Sequence, residues 1–288
     1  MKRIACILLL LLTGCAAGAR HGDQIVVCGK PFRTGTPVVL WTDPGGYDAY
    51  QPPTHFGDRK TVGDPGRLDV LQGHIDQFVI HYDVSGLSRE CFRTLHDRRG
   101  LSVHFLLDLD GTIYQTLDLK ERAWHATTSN DRSIGIEIAN VGAYAPGERS
   151  PFARWYAPGP DGWPVITIPP ALGDGGIRTK GFVGRPIRPE LVTGTINGRT
   201  LQQYDLTPQQ YASLVHLTAA LCRVFPRLRC DYPRDASGRL VMGKLPDDVL
   251  SGYTGLIGHW HIQEDKVDPG PAFQWDLVVR GAASLMRR

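Results

Sequence analysis

An α/β fold is the class the sequence predicts, and three observations predict it. Short runs of strand-forming residues recur, with Phe78-Val79-Ile80-His81-Tyr82 and Ser133 to Ala139 the clearest. Helical stretches alternate with them: Ser88 to Arg99 closed by Gly100, and a capped segment that begins at Thr207. The composition is that of an ordinary globular protein, 288 residues with 42% hydrophobic and 21% charged. Such a chain is not disordered as its main state, and no run approaches the ~20 apolar residues of a spanning helix. With 32 Lys+Arg against 29 Asp+Glu, the formal charge of +3 gives no broad basic footprint for nucleic acid.

Taken in order, the chain opens on an address. Met1-Lys2-Arg3 is a cationic start, and the apolar run Ile4 to Leu12 has the length of a secretory core. Leu12-Thr13-Gly14-Cys15 resembles the lipobox of bacterial lipoproteins, which implies removal of residues 1–14 and lipidation of Cys15. Several acyl chains at ~0.8 kcal/mol per buried CH₂ anchor a protein stably. Ala16 rather than Asp follows the cysteine, and the resemblance to Gram-negative lipoproteins then implies the outer membrane, facing the periplasm. Residues 15–24 read as a tether, and 25–288 as one domain. Cys28, Cys91, Cys222 and Cys230 then lie in a disulfide-permissive compartment, with Cys222 and Cys230 the best local pair.

Residues 25–75 mix one apolar run, Val38-Val39-Leu40-Trp41, with Pro, Gly and Asp clusters, and read as irregular structure wrapped on a core. Leu101 to Leu109, Asp110-Gly111 and Thr112 to Thr116 form a predicted hairpin. In Ser133 to Ala139 the residues Ile134, Ile136 and Ile138 share one face. Glu137 stands on the other among small residues, as on a cleft floor. Residues 141–205 hold nine of the 21 prolines and keep no period, so they read as a loop-rich insertion. Two roles are open for it: a wall of the groove offering Trp155, Tyr156 and Trp163, or a surface cover that buries them. Thr207, Pro208 and Gln210 form a capping box ahead of the stripe Tyr211, Leu214, Val215, Leu221, Cys222 and Phe225. Gly255 to Ile262 reads as a strand, and Phe273 to Met286 as a closing helix.

Three segments carry candidate chemistry: His81 at a strand end, Glu137 on the small-residue face, and Gly258-His259 followed by Lys266-Val267-Asp268-Pro269-Gly270-Pro271. Two imidazoles and a carboxylate match the three-ligand set of catalytic zinc, with a fourth position for water. Spacing alone is a moderate signal, because the segments are far apart and the chain has ten histidines.

Further motifs lie between them: Ser102-Val103-His104-Phe105-Leu106, Ala123-Trp124-His125-Ala126 and Ser133-Ile134-Gly135-Ile136-Glu137. In this order the set resembles the zinc-dependent N-acetylmuramoyl-L-alanine amidases of the type-2 family, related to peptidoglycan recognition proteins. With the lipobox, the likeness is to lipoprotein members of that family. It covers about residues 76–140 and 204–280.

The resemblance implies a central mixed β-sheet flanked by helices, with zinc at the bottom of a peptide-binding groove. It implies His81, His259 and Asp268 as metal ligands, Glu137 as general base and Lys266 as electrostatic stabiliser. Trp124 and His125 are expected to contact the substrate, a structural role for His125 being equally open. His261, on the same expected strand face as His259, competes for the metal, and the family pattern favours His259. His104 reads as a packed strand histidine. The reaction implied is hydrolysis of the amide between N-acetylmuramic acid and L-alanine, in peptidoglycan or muropeptides, by a monomer. A binding protein of the same fold and a zinc peptidase acting within the stem peptide are the alternatives. Binders of this fold typically lack a metal ligand, whereas here the whole set is present.

Overall fold

The computed structural model describes residues 22–287. The expected leader, Cys15 and the tether up to residue 21 lie outside them. Six strands form one mixed sheet in the spatial order Gly255–Gly258, Gln77–Tyr82, Ser133–Ile138, Phe105–Leu107, Ile113–Gln115, Val38–Leu40. The first three run parallel to one another, and Phe105–Leu107 is parallel to Ser133–Ile138. Only the hairpin turned at Asp110-Gly111 makes an antiparallel pair in the sheet.

Alternation along the strands sorts side chains to two faces. Phe78, Ile80, Ile134, Ile136 and Ile138 enter the main core against Leu214, Leu217 and Leu221 of the helix Pro208–Val224 and Val278 of the helix Trp275–Met286. On the other face Val79 and Ile257 pack with Leu245 and Leu250, and His81 and Glu137 follow toward the strand ends. The long helix starts as its sequence requires. Thr207 Oγ1 accepts the Gln210 N–H at 3.1 Å, and Gln210 Oε1 accepts the Thr207 N–H at 2.9 Å. Of its expected stripe, Val215 and Cys222 are only half-buried, while Leu217 and Val224 complete the buried face.

Four expectations need correction. Residues 25–75 are not simply irregular: Val38–Leu40 is the edge strand of the central sheet, and Gln24–Val27 pairs with Lys30–Arg33. Ser88–Phe92 is α-helical, but the next turn, Arg93–Arg98, widens to a π-helix before Gly100 at φ 62°. The last strand stops at Gly258, and His259–His261 forms a 3₁₀ turn. Residues 141–205 contain two hairpins and a satellite core in which Trp155 packs with Leu87, Leu109, Ala139 and Val141. The four described cysteines are free thiols.

The N-terminal extension is locked by a buried cation. Arg59 is 3% exposed and donates to the carbonyls of Leu119, Asn130, Asp131 and Ser133 at 2.7–3.3 Å. Burial pushes its guanidinium down to about 9, so it remains charged at neutral pH. Arg59→Met leaves those carbonyls without their donor. The expected cost is at least about 3 kcal/mol, at roughly 1–3 kcal/mol per orphaned buried group. Urea unfolding of the two proteins measures it.

A second buried charge sets a pH dependence. Asp108 Oδ1 accepts the Leu109 N–H at 2.9 Å, yet burial pushes the carboxyl up to about 7. In the unfolded chain Asp titrates near 4. The folded protein therefore holds an extra proton between about pH 4 and 7, and stability falls as pH rises through that window. Asp108→Asn removes this contribution. The stability lost between pH 5 and pH 8 should shrink by at least about 1 kcal/mol, read from unfolding curves at the two pH values.

Candidate metal centre

The site lies at the carboxyl ends of the three parallel strands, where open α/β sheets bind their ligands. His81 is the fifth residue of Gln77–Tyr82 and pairs in register with Glu137. His259 follows the neighbouring strand directly, as the first residue of the 3₁₀ turn. Asp268 arrives from the irregular segment after that turn. His81 Nδ1 is 2.7 Å from Asp268 Oδ2 and 3.1 Å from His259 Nδ1, and His259 Nδ1 is 3.1 Å from the same oxygen. Among the described residues this is the one group of three or more His, Cys, Asp or Glu placed to share a metal ion.

The second nitrogen of each histidine is also placed. His81 Nε2 is 3.0 Å from His125 Nδ1, and His259 Nε2 is 2.7 Å from Gln263 Oε1. Gln263 Oε1 only accepts, so His259 carries its proton on Nε2 and leaves the Nδ1 lone pair free. With His81 in the same tautomer, its Nε2–H donates to His125. Three lone pairs then converge on one point, an arrangement that calls for a cation. The donor set, two imidazoles and a carboxylate, fits zinc.

Electrostatics agree with this arrangement. Burial opposes ionisation of Asp268, yet positive charge on His259 and hydrogen bonds donated by the His259 and His81 rings hold its carboxyl well below the usual carboxylate range when protons occupy the place a cation would take. Glu137 is shifted the other way: burial first, and Asp268 second, push its carboxyl well above the usual range. Its Oε2 is buried and has no hydrogen-bond partner among the described residues. An unpaired carboxylate oxygen beside a cation site suits a proton acceptor.

A cleft of about 400 Å³ opens over these groups. Trp124, His125 and Lys266 line it, together with Arg99, Leu101 and residues 83–85. His125 faces the cleft and also receives His81. Space for its ring comes from Gly135, where a Cβ would stand 2.5 Å from the imidazole. His104 is a packed histidine: its Nδ1 accepts the Gly135 N–H at 3.1 Å and its Nε2 meets the Glu121 carbonyl at 3.0 Å.

His261 does not compete for the metal. Once the strand ends at Gly258, its Nδ1 accepts the Gly258 N–H at 2.9 Å and its Nε2 meets the Val241 carbonyl at 2.8 Å. Of the two roles open for 141–205, the structure favours the cover, since no residue of that segment lines the cleft. Trp155 is buried, and Trp163 Nε1 donates to the Pro186 carbonyl. Gln263 escaped the sequence reading. Its signal was its place four residues after His259, which has meaning only once the segment is known to turn.

A family model described as N-acetylmuramoyl-L-alanine amidase matches residues 71–271. No curated protein sequence matches significantly. Similar solved structures include a selenomethionine derivative of AmpD, with 18% identity, 85% of this chain and 98% of that one covered, and a TM-score of 0.40. AmiD from E. coli, in complex with anhydro-N-acetylmuramic acid-L-Ala-D-γ-Glu-L-Lys, has 18% identity, coverage of 72% and 57%, and a TM-score of 0.38. The Ph2119 endolysin from a Thermus scotoductus bacteriophage has 16% identity, coverage of 85% and 98%, and a TM-score of 0.40.

Outer hydrogen bonds to ligand histidines typically contribute ~10–100-fold to metal affinity. Gln263→Ala, which removes the acceptor of His259 Nε2–H, should weaken zinc binding within that range, measured by competition with a chromophoric chelator. An unchanged affinity would show that His259 is oriented by its turn alone.

Proposed function

Because the chain belongs to the N-acetylmuramoyl-L-alanine amidase family, we propose that its cleft hydrolyses the amide joining the lactyl group of N-acetylmuramic acid to L-alanine, and that zinc is its cofactor. His81 Nδ1, His259 Nδ1 and Asp268 Oδ2 hold the metal. When bound, zinc supplies Lewis acidity, which polarises a carbonyl and makes a water easier to deprotonate. Glu137, in register with His81 on the adjacent strand, takes the proton of the attacking water. As the carbon–nitrogen bond breaks, it returns that proton to the alanine nitrogen, and the lactyl carboxylic acid passes its own proton to the departing amine, so that carboxylate and ammonium leave. Lys266 faces the same cleft, and its ammonium steadies the negative charge that develops on the carbonyl oxygen. Trp124 and His125 contact the muropeptide along the wall.

The observation that carries this reading is the convergence of two imidazole nitrogens and a carboxylate oxygen beside a buried, unpaired Glu137 oxygen. A chain that only bound muropeptides would have no need to bury that oxygen unsatisfied. The sequence of residues 1–15 supports a further part of the proposal: a lipoprotein, anchored through Cys15 in the outer membrane, facing the periplasm and acting on peptidoglycan.

Purified protein incubated with defined muropeptides should release free stem peptide beginning at L-alanine, read by mass spectrometry. Products cut within the peptide would overturn the assignment. His81→Ala should lose zinc and activity together. Glu137→Gln should retain zinc while kcat falls about 10²–10⁴-fold, the usual contribution of a general acid–base group. Loss of metal from Glu137→Gln would make Glu137 a ligand instead.

A further inference from the structure

Residues 141–205 do not line the cleft, yet one of their hairpins reaches the segment that carries Lys266 and Asp268. Strands Val192–Ile196 and Arg199–Gln203 are joined by Asn197-Gly198, with φ of 47° and 73°. Asn-Gly is the pair that such a left-handed two-residue turn favours. Asn197 points its carboxamide away from its own hairpin. Its Nδ2 is 2.9 Å from the Lys266 carbonyl, 3.3 Å from that of Trp260 and 3.4 Å from that of Gln263. Two hydrogens serve three acceptors, so the bond to Lys266 is the principal one and the other two share the second hydrogen. Asn197 Oδ1 accepts the Lys244 N–H at 2.8 Å, which fixes which end of the amide faces the carbonyls.

The far end of the hairpin makes a second attachment. Gln203 Nε2 donates to the Pro269 carbonyl at 3.0 Å, and Gln203 Oε1 accepts the Ala272 N–H at 3.0 Å. Gly270, at φ 88°, leaves the room this needs, since a Cβ there would lie 2.2 Å from Gln203 Oε1. The hairpin thus grips the segment on both sides of Asp268. The first part of the segment is held by its turn, with the Ile262 and Gln263 N–H groups on the His259 carbonyl at 2.9 and 3.1 Å, but beyond Gln263 the backbone restraints are sparse, chiefly Lys266 N–H to the Gln263 carbonyl at 3.2 Å and Trp260 N–H to the Asp268 carbonyl at 3.3 Å.

We propose that this hairpin is a clasp for the segment from Trp260 to Asp268, and that Asn197 is a positioning residue that fixes Lys266 and Asp268 relative to the two histidines. The proposal rests on the roles assigned above to those two residues. A reacting group displaced by 1 Å can lose about 10²-fold in rate, so an irregular segment bearing two such groups gains from a rigid outside anchor. The clasp also gives the insertion a function that does not require it to touch the substrate.

Two variants test this. Asn197→Gly keeps the left-handed turn and removes the amide. Asn197→Asp keeps the acceptor for Lys244 and removes the donor. In zinc-loaded protein both should lower kcat about tenfold or more with KM within about twofold, because Lys266 acts on charge that develops only in the transition state. Amide hydrogen exchange should accelerate at residues 260–268 and stay unchanged in the strand Gln77–Tyr82. The visible spectrum of the cobalt-substituted protein should shift as Asp268 loosens. Thr195→Ala, on the exposed face of the same hairpin, should leave all three readouts unchanged. Parental kcat and exchange in both Asn197 variants would overturn the proposal. So would a loss of activity accompanied by faster exchange throughout the sheet, which would mark Asn197 as a fold residue. Absence of zinc binding and amidase activity in the parent would defeat the functional reading instead, while exchange at 260–268 would still report on the clasp.

Discussion

The parallel pairing of Gly255–Gly258, Gln77–Tyr82 and Ser133–Ile138 is the constraint on which the rest depends. It sets His81 opposite Glu137 and delivers His259 at the end of the adjacent strand. A slip of one residue moves every side chain of a strand to the other face. The register is therefore protected by the opposite face, where Ile134, Ile136 and Ile138 fill the main core. A slip would turn Glu137 into that apolar layer, at a desolvation cost that nothing there offsets. The chemistry of one face is secured by the hydrophobic effect on the other.

Behind the metal ligands stands a polar layer in which most nitrogens have a partner. His81 leads to His125, His125 Nε2 lies 3.3 Å from Ser133 Oγ, and His104 receives the backbone of Gly135. Arg59, from the N-terminal extension, closes the layer with its guanidinium 2.9 Å from His104 Nε2. Burial of the ring and that cation hold His104 neutral, pushed down to about 3, while the Gly135 N–H on Nδ1 and the Glu121 carbonyl at Nε2 fix its tautomer. Residues that resemble no motif thus steady those that do, and the extension forms part of the support of the centre.

What was legible in the sequence was local. Alternation showed the strands around His81 and Glu137 and the faces of Ile134, Ile136 and Ile138, and Thr207, Pro208 and Gln210 declared a helix start by their own hydrogen-bonding chemistry. The misreadings arose where tertiary contacts override propensity. Gly255 to Ile262 looks like a single strand, but the chain bends after Gly258, where Pro269 and Trp260 crowd the glycine. Val192–Ile196 and Arg199–Gln203 are poor in apolar residues and gave no period, although Asn197-Gly198 between them is a hairpin signal in its own right. Three-residue strands such as Val38–Leu40 are too short to carry a pattern. Motif order pointed to His81, His259 and Asp268, which the fold brings together, whereas the contacts of Gln263 and Asn197 arise only from where the fold brings them.

The two imidazoles of the centre are separated by 178 residues of chain, and His81 and Asp268 by 187. Closing loops of that size costs entropy that only the packed sheet and its helices repay. In the unfolded polypeptide the three donors are independent of one another, and none alone competes for a scarce divalent ion. Capture of the proposed ion would therefore follow assembly of the domain, and would then draw the folded state down in free energy by mass action. A chain crossing a membrane unfolded would arrive without metal and acquire it on the far side. With zinc as the proposed cofactor, metal content would count how many chains have completed the sheet.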